Sequence, residues 1–396
     1  MSLNDTTSSE RVHIGFFGNT NAGKSSLVNK VTSQNTALVS EVSGTTTDVV
    51  RKAMELLPIG PVMIIDTPGF DDESILGEKR IEITKKALQT VDIAVLVCDA
   101  TRGKTNTDNN LEQLFKERKI PYITLFNKAD LVEKRDTDLF YVSAETGEGV
   151  DALKKMLGAL APEKSNKMNI VDSFVKKSDI VVLVTPIDES APKGRIILPQ
   201  QNVLRNLLDI GAITIVVQPE ELEEALKTLP KKPAAVITDS QVFGFVSKIV
   251  PENIPLTSFS ILFAKYKGVL DEAVKAVGKI ETLKDGDKIL VAEGCSHHRQ
   301  CNDIGTVKIP NWIKKHTGKD IQFEFTSGRE FPNDVTEYAI VLHCGGCMIT
   351  ERDVMTRMEK AKAQNIPFTN YGITIAYMNG ILKRSIEVFP ELYKFI

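Results

Sequence analysis

The sequence predicts an α/β protein of three successive segments, 1–165, 170–265 and 270–396, built on largely parallel sheets. Two observations carry this reading. An apolar run at 12–17 leads through a glycine-rich loop into a helical pattern at 26–31. Further strand-length apolar runs, at 180–184, 213–217 and 234–237, alternate with helical patterns at 200–208 and 219–228, the arrangement of βαβ units. A chain of 396 residues should hold two or three domains rather than one core. Its 42% apolar and 26% charged content is that of a soluble globular protein. A net charge of −3 gives no whole-chain affinity for nucleic acid or anionic membrane. Residues 1–10 lack an apolar signal core, and no apolar run is long enough to span a bilayer. Four of the five cysteines lie after residue 290, so they do not form a distributed disulfide framework. A cytoplasmic setting with clustered thiols as metal ligands is the expectation.

The first segment carries nucleotide chemistry. Gly18-Asn19-Thr20-Asn21-Ala22-Gly23-Lys24-Ser25 sits between a strand and a helix, the context a phosphate loop requires. Gly18 and Gly23 permit the tight turn that aims backbone N–H groups, including those of Asn19, Ala22 and Ser26, at phosphates. Lys24 would neutralise the terminal phosphates and Ser25 would ligate Mg²⁺. A strand at 62–65 ends in Asp66-Thr67-Pro68-Gly69, where Asp66 can hold the Mg²⁺ shell and the Gly69 amide can sense the γ-phosphate. A strand at 122–126 ends in Asn127-Lys128-Ala129-Asp130, whose carboxylate can accept two guanine protons, and 140–142 leads into Ser143-Ala144-Glu145. This ordered set resembles the translation-factor-like GTPases and specifies GTP and GDP. Gly44-Thr45-Thr46-Thr47-Asp48 resembles the first switch of the tRNA-modification-GTPase branch, which implies that Thr46 binds Mg²⁺ and Asn21 helps hold K⁺. Phe70 stands where Ras-like enzymes carry a water-orienting glutamine, so the resemblance implies slow, K⁺-stimulated hydrolysis with Lys24, Thr46, Asp66 and Gly69 as the catalytic set. Cys98 and His13 lie in apolar strand runs and read as core residues.

The middle segment has a complete fold pattern and no catalytic constellation, which suits a homodimerisation module. Asp188-Glu189 and Gly194-Arg195 read as surface charges. A polar, lysine-rich stretch at 163–168 reads as a linker.

In the last segment a strand at 287–292 runs into Cys295-Ser296-His297, and a strand at 338–342 runs into His343-Cys344-Gly345-Gly346-Cys347; a strand at 322–325 lies between them and a helix at 350–363 follows. Both groups thus lie past the carboxyl ends of strands, the edge where open α/β sheets bind ligands. Thiol and imidazole chemistry alone leaves zinc, a redox pair and an iron–sulfur cluster open. The surrounding α/β pattern does not need metal to fold, which favours a functional centre. His316 reads as surface, His298 and Arg299 as a loop able to touch an anion, and 371–380 as an apolar core or interface stretch.

Cys-x-His, a long gap and His-Cys-x-x-Cys, behind a K⁺-type GTPase and a middle α/β segment, resemble the [FeFe]-hydrogenase maturation GTPase (HydF) family along all three segments. The resemblance implies a [4Fe–4S] cluster on Cys295, Cys344 and Cys347, with His297 and His343 as candidate fourth ligands or cargo contacts. Asp188, Asp303 or water are the other candidates for that fourth position. Cys301 is a departure from the family pattern and reads as a bystander. The implied role is a homodimeric scaffold, with no nucleic-acid or membrane partner. It would take a di-iron precursor from radical-SAM maturases and deliver it to apo-[FeFe]-hydrogenase, with GTP hydrolysis setting conformation or partner affinity. The rival reading is a GTPase with a structural zinc domain acting in RNA modification or ribosome assembly. It calls for a basic, aromatic surface, which the balanced charge and 6% aromatic content do not supply.

Overall fold

A computed structural model describes residues 8–32, 49–69, 84, 87–161, 170–187, 196–294, 303–328 and 330–396. The expectations placed on Thr46, Phe70, the 163–168 linker, Asp188 to Arg195, Cys295, His297, His298, Arg299 and Cys301 lie outside the described residues. The chain forms two compact units, 1–164 and 165–396.

In the first unit, five strands, β1 (Val12–Phe17), β2 (Val50–Leu56), β3 (Gly60–Asp66), β4 (Ile93–Asp99) and β5 (Tyr122–Asn127), form a sheet of order β2-β3-β1-β4-β5. All pairings are parallel except β2 with β3. β1 lies in the middle and is buried along its whole length, so successive side chains feed cores on both faces. Phe16 packs with Leu27, Leu125 and Leu153, while Phe17 packs with Leu96, Leu111 and Phe115. Each phenylalanine contributes about 1.5–3 kcal/mol by leaving water. β2 is an antiparallel edge strand whose charged, half-exposed residues give no buried-strand pattern, so the sequence reading passed over it. Cys98 is buried in β4, and the buried His13 ring is satisfied by the Thr90 carbonyl at 3.0 Å, as core readings require.

The second unit holds two four-stranded, all-parallel sheets. The first contains β6 (Ile180–Val184), β7 (Ile213–Val217), β8 (Ala235–Thr238) and β9 (Leu256–Ser258), in the order β7-β6-β8-β9. The second contains β10 (Lys288–Ala292), β11 (Gln322–Thr326), β12 (Tyr338–His343) and β13 (Phe368–Asn370), in the order β11-β10-β12-β13. The two segments expected at 170–265 and 270–396 share one core, in which Val181, Leu207 and Phe263 pack in a single cluster with Ile289, Leu342 and Ile373.

The two sheets are also copies of one pattern. Within each, the first strand in the chain lies second, beside the edge strand that follows it. Asn253-Ile254-Pro255-Leu256-Thr257-Ser258 repeats as Asn365-Ile366-Pro367-Phe368-Thr369-Asn370, with Pro367 following Pro255 by 112 positions. Ser258 and Asn370 each cap the helix that follows, Phe259–Tyr266 and Tyr371–Met378, by accepting from a backbone N–H three residues on. Thr257 Oγ1 donates to the Ser385 carbonyl at 2.8 Å, and its counterpart Thr369 donates to the Ala273 carbonyl at 2.9 Å. Ser385 in turn follows Ala273 by the same 112 positions, so the two bonds are reciprocal, as a local twofold relation demands. Gly372 is the counterpart of Ser260 and touches it: a Cβ there would lie 2.0 Å from Ser260 Oγ, so only glycine fits.

Candidate functional site

The phosphate loop is folded and internally satisfied. Gly18 has φ +142 and a Cβ there would lie 2.2 Å from the Val97 carbonyl; Gly23 has φ +82 and faces Asn127 Nδ2. Both positions therefore require glycine. Lys24, at the start of the helix Lys24–Thr32, is buried, and its ammonium donates to the carbonyls of Gly18 at 3.0 Å and Asn19 at 2.8 Å. Ser25 Oγ donates to Asp66 Oδ2 at 2.6 Å. Asp66 is buried, and its Oδ1 has no hydrogen-bond partner in the protein. Burial raises the Asp66 carboxyl above the usual range, opposed by the Ser25 hydrogen bond and by Lys24. An orphaned carboxylate oxygen beside a serine hydroxyl fits a magnesium ion. Gly69 packs against Thr20, where a Cβ would lie 2.2 Å from Thr20 Oγ1, so the end of the Asp66–Gly69 stretch lies on the phosphate loop.

Two of the expected nucleotide residues are tied up by structural bonds. Asn127 Nδ2 donates to the Ala22 carbonyl at 3.0 Å, and its Oδ1 accepts from the Ala144 N–H at 3.0 Å. It therefore locks the phosphate loop to the Ser143–Ala144 turn. The Asn19 side chain donates to Thr105 Oγ1 at 2.7 Å and Asp108 Oδ2 at 3.3 Å, leaving its backbone for the phosphate side. Lys128 has φ +67, and its ammonium reaches Asp99 Oδ2 at 2.6 Å. The exposed Asp130 carboxylate accepts from Ser143 Oγ, which joins the base-side residues into one turn. Asn21 is exposed on the loop with φ +62, and Ser26 is half-buried in the first helical turn. Asp99, Thr105 and Asp108 were not foreseen; the sequence signal for them is the polar run that begins at the last residue of β4.

The second cluster of chemistry sits where β10 and β12 end. These strands pair in parallel with Ala292 opposite His343, so the chain leaving β10 passes the chain leaving β12. The Cys344 N–H donates to the Ala292 carbonyl at 2.9 Å. Cys344 Sγ accepts from the Gly294 N–H at 3.0 Å and the Gly346 N–H at 3.4 Å, with Gly346 at φ +64. Gly294, the last described residue before Cys295 in the sequence, thus lies against the Cys344 turn. Burial pushes the Cys347 thiol up to about 11, with Cys344 adding to the shift and Lys267 opposing it. Burial likewise raises Cys344, opposed by the two amides. Two half-buried cysteines, one with two N–H groups aimed at its sulfur, fit a metal or cluster, which replaces the proton. Among the described residues no group of three or more His, Cys, Asp or Glu side chains is assembled; Cys344 and Cys347 are the described part of the expected set.

His343 is buried, and both ring nitrogens are engaged. Nδ1 lies 2.6 Å from the Cys344 carbonyl and Nε2 lies 3.2 Å from the Arg357 guanidinium. A carbonyl only accepts and a guanidinium only donates, so Nδ1 carries the proton and Nε2 is the acceptor. Burial first, then Arg357 and Lys267, push this imidazole down to about 3. Asp303 caps the turn at Ile304–Lys308, accepting from Thr306 N and Oγ1, both at 2.9 Å. The buried Glu293 lies 3.4 Å from the Tyr371 hydroxyl. His316 is at the surface, paired with Glu281. Lys267, Arg357 and Glu293 were not foreseen: each reads as an ordinary surface charge in sequence, and only long-range packing buries it.

Residues 13–128 match the model of the 50S ribosome-binding GTPases, 170–268 that of the hydrogen maturase F dimerization domain, and 271–388 that of the hydrogen maturase F tetramerization domain. Over 145 residues the chain is 41% identical to the tRNA modification GTPase MnmE of Legionella pneumophila strain Paris, covering 35% of this chain and 32% of that one. Over 174 residues it is 33% identical to GTPase Der of Kosmotoga olearia, covering 38% and 39%. The chain thus spans about a third of the length of the curated relatives it matches. Among solved structures, Era of Aquifex aeolicus bound to GDP·AlF4⁻ aligns at 19% identity and a TM-score of 0.36, covering 55% of this chain and 98% of that one.

Proposed function

That this chain belongs to the hydrogen maturase F family is the premise from which we propose its role: a GTP-hydrolysing scaffold for hydrogenase maturation. Its first unit is a GTPase domain. In the proposed cycle Lys24 neutralises the terminal phosphates, Ser25, Thr46 and Asp66 hold Mg²⁺, the Gly69 amide senses the γ-phosphate, and Asp130 accepts from guanine. Asn21 holds K⁺, so turnover is faster in KCl than in NaCl at equal ionic strength. Equal steady-state rates in the two salts would remove that role.

Cys344 and Cys347, with Cys295, hold a [4Fe–4S] cluster whose fourth iron position is exchangeable. The observation that supports this is the pair of N–H groups, from Gly294 and Gly346, aimed at Cys344 Sγ, Gly294 being the residue that precedes Cys295 in the sequence. With both of its nitrogens engaged, His343 orients the turn rather than ligating iron, which leaves His297 as the imidazole candidate for the fourth position or a cargo contact. The cargo is a di-iron precursor supplied by radical-SAM maturases and passed to apo-[FeFe]-hydrogenase. The lobe that matches the dimerization model ends in the edge strand β7, where Ile213 and Val216 are 51% and 49% exposed, and a second copy would cover it to give a homodimer. No helix among the described residues is long and apolar enough to cross a membrane; the proposed setting is the cytoplasm, where clustered thiols stay available to a metal.

Anaerobic reconstitution with iron and sulfide tests the scaffold reading. About four irons per chain and a broad band near ~400 nm are expected. Zinc retention without that band would overturn it.

A further inference from the structure

The phosphate loop has a support that its own motif does not contain. The helix Asn106–Glu117 follows β4 and is capped by Thr105. Asp108 in its first turn is 1% exposed, and its Oδ2 accepts from Thr105 N at 3.0 Å and Thr105 Oγ1 at 2.8 Å. Thr105 Oγ1 in turn accepts from the Asp108 N–H at 3.2 Å, which completes a capping box. A further donor enters this box from the phosphate loop: Asn19 Nδ2 reaches Thr105 Oγ1 at 2.7 Å and Asp108 Oδ2 at 3.3 Å. The same asparagine is bound at its backbone, where its carbonyl accepts from the Lys24 ammonium at 2.8 Å and the Ala22 N–H at 3.3 Å. One residue thus joins the helix cap to the lysine of the loop.

Capping the helix accounts for the bonds between Thr105 and Asp108 but not for those from Asn19. A half-buried loop asparagine could leave its amide in water at little net cost. Here a carboxylate holds it, through a bond roughly twice as strong as a neutral one. That carboxylate is itself seated in the core beside β4, where burial first and then Asp108 push the Cys98 thiol up to about 12. It is a fixed anchor, not a mobile surface charge.

We propose that Asp108 is a positioning residue for GTP hydrolysis: it holds the Asn19 side chain, and through it the Asn19 backbone, so that the loop and Lys24 are in place before nucleotide binds. The inference rests on the reading of residues 18–25 as the phosphate site. The route from Asp108 to the loop is the Asn19 amide, so its effect on turnover passes through that side chain. A loop set in advance spares the reaction a rearrangement of its donors when the phosphates arrive.

The test is a double-mutant cycle on the full chain, with Asp108→Ala, Asn19→Ala and the two combined, read by steady-state GTP turnover and by thermal unfolding. Each single substitution is expected to lower kcat/KM about tenfold, the scale of one lost hydrogen bond to a charged group. In the Asn19→Ala background, Asp108→Ala should cost no further turnover, while its loss of melting temperature, which comes from the capping box, remains. Equal losses of kcat/KM in both backgrounds would mark a general structural role and overturn the proposal, as would wild-type kcat/KM in Asp108→Ala. If Asp108→Ala does not fold, Asp108→Asn, which keeps an acceptor oxygen without the charge, takes its place in the cycle under the same criteria. A loss below tenfold in Lys24→Ala would instead overturn the phosphate-site reading, and this proposal with it.

Discussion

Replacing Lys24 with alanine lowers kcat/KM for GTP by roughly 10³-fold. The ammonium is buried and already held by the Gly18 and Asn19 carbonyls, so it is in place before nucleotide arrives. A unit charge about 4 Å from a phosphate oxygen contributes about 4 kcal/mol at the effective dielectric of a protein surface, and this sets the size of the loss. The loop is also held by Asn127 through the Ala22 carbonyl, so a normal far-UV spectrum accompanies the loss and the melting temperature falls only modestly. Steady-state turnover with thermal unfolding reads both quantities. A loss below tenfold would remove Lys24 from the phosphate site.

On the proposed cluster reading, replacing Cys344 with serine is expected to abolish iron uptake on reconstitution while GTP turnover stays as in the wild type. Its sulfur collects two amide donors, and a hydroxyl of shorter reach is a poor replacement for a thiolate ligand on iron. Cys344 and Lys24 belong to different compact units, so the two substitutions should separate iron content from turnover. Iron analysis and GTP hydrolysis on the same preparations check this. Full iron retention in Cys344→Ser would show that the turn is not the cluster site.

Local spacing along the chain accounts for most of the nucleotide site. Each motif is a turn at the end of one strand, so residues that act together are also close in sequence, as Gly18 to Ser25 and Asp66 to Gly69 show. What local spacing does not show is how these turns are joined: Asn127, expected in the guanine-recognition turn, also ties the phosphate loop to Ala144 through both ends of its amide.

The repeat in the second unit was also present in the sequence, at Asn253-Ile254-Pro255 and Asn365-Ile366-Pro367. It passed unnoticed because six short positions carry little weight until the reciprocal Thr257 and Thr369 hydrogen bonds give them a shared place. The same packing gives the segments expected at 170–265 and 270–396 a shared core, since a sheet this small needs the other lobe's helices to cover its apolar face.

By itself, the sequence determined the parallel α/β architecture, the phosphate and guanine turns and the two cysteine groups at strand ends, because those features repeat with the short periods of strands and turns. Only the tertiary structure decided what surrounds Cys344 and Cys347. The register that sets Ala292 opposite His343 brings the Gly294 amide to sulfur, and the meeting of the two lobes buries Lys267 against Ile349. Arg357 reaches His343 from a helix turn fourteen residues on. Such contacts depend on which surfaces pack together, and no spacing along the chain encodes that.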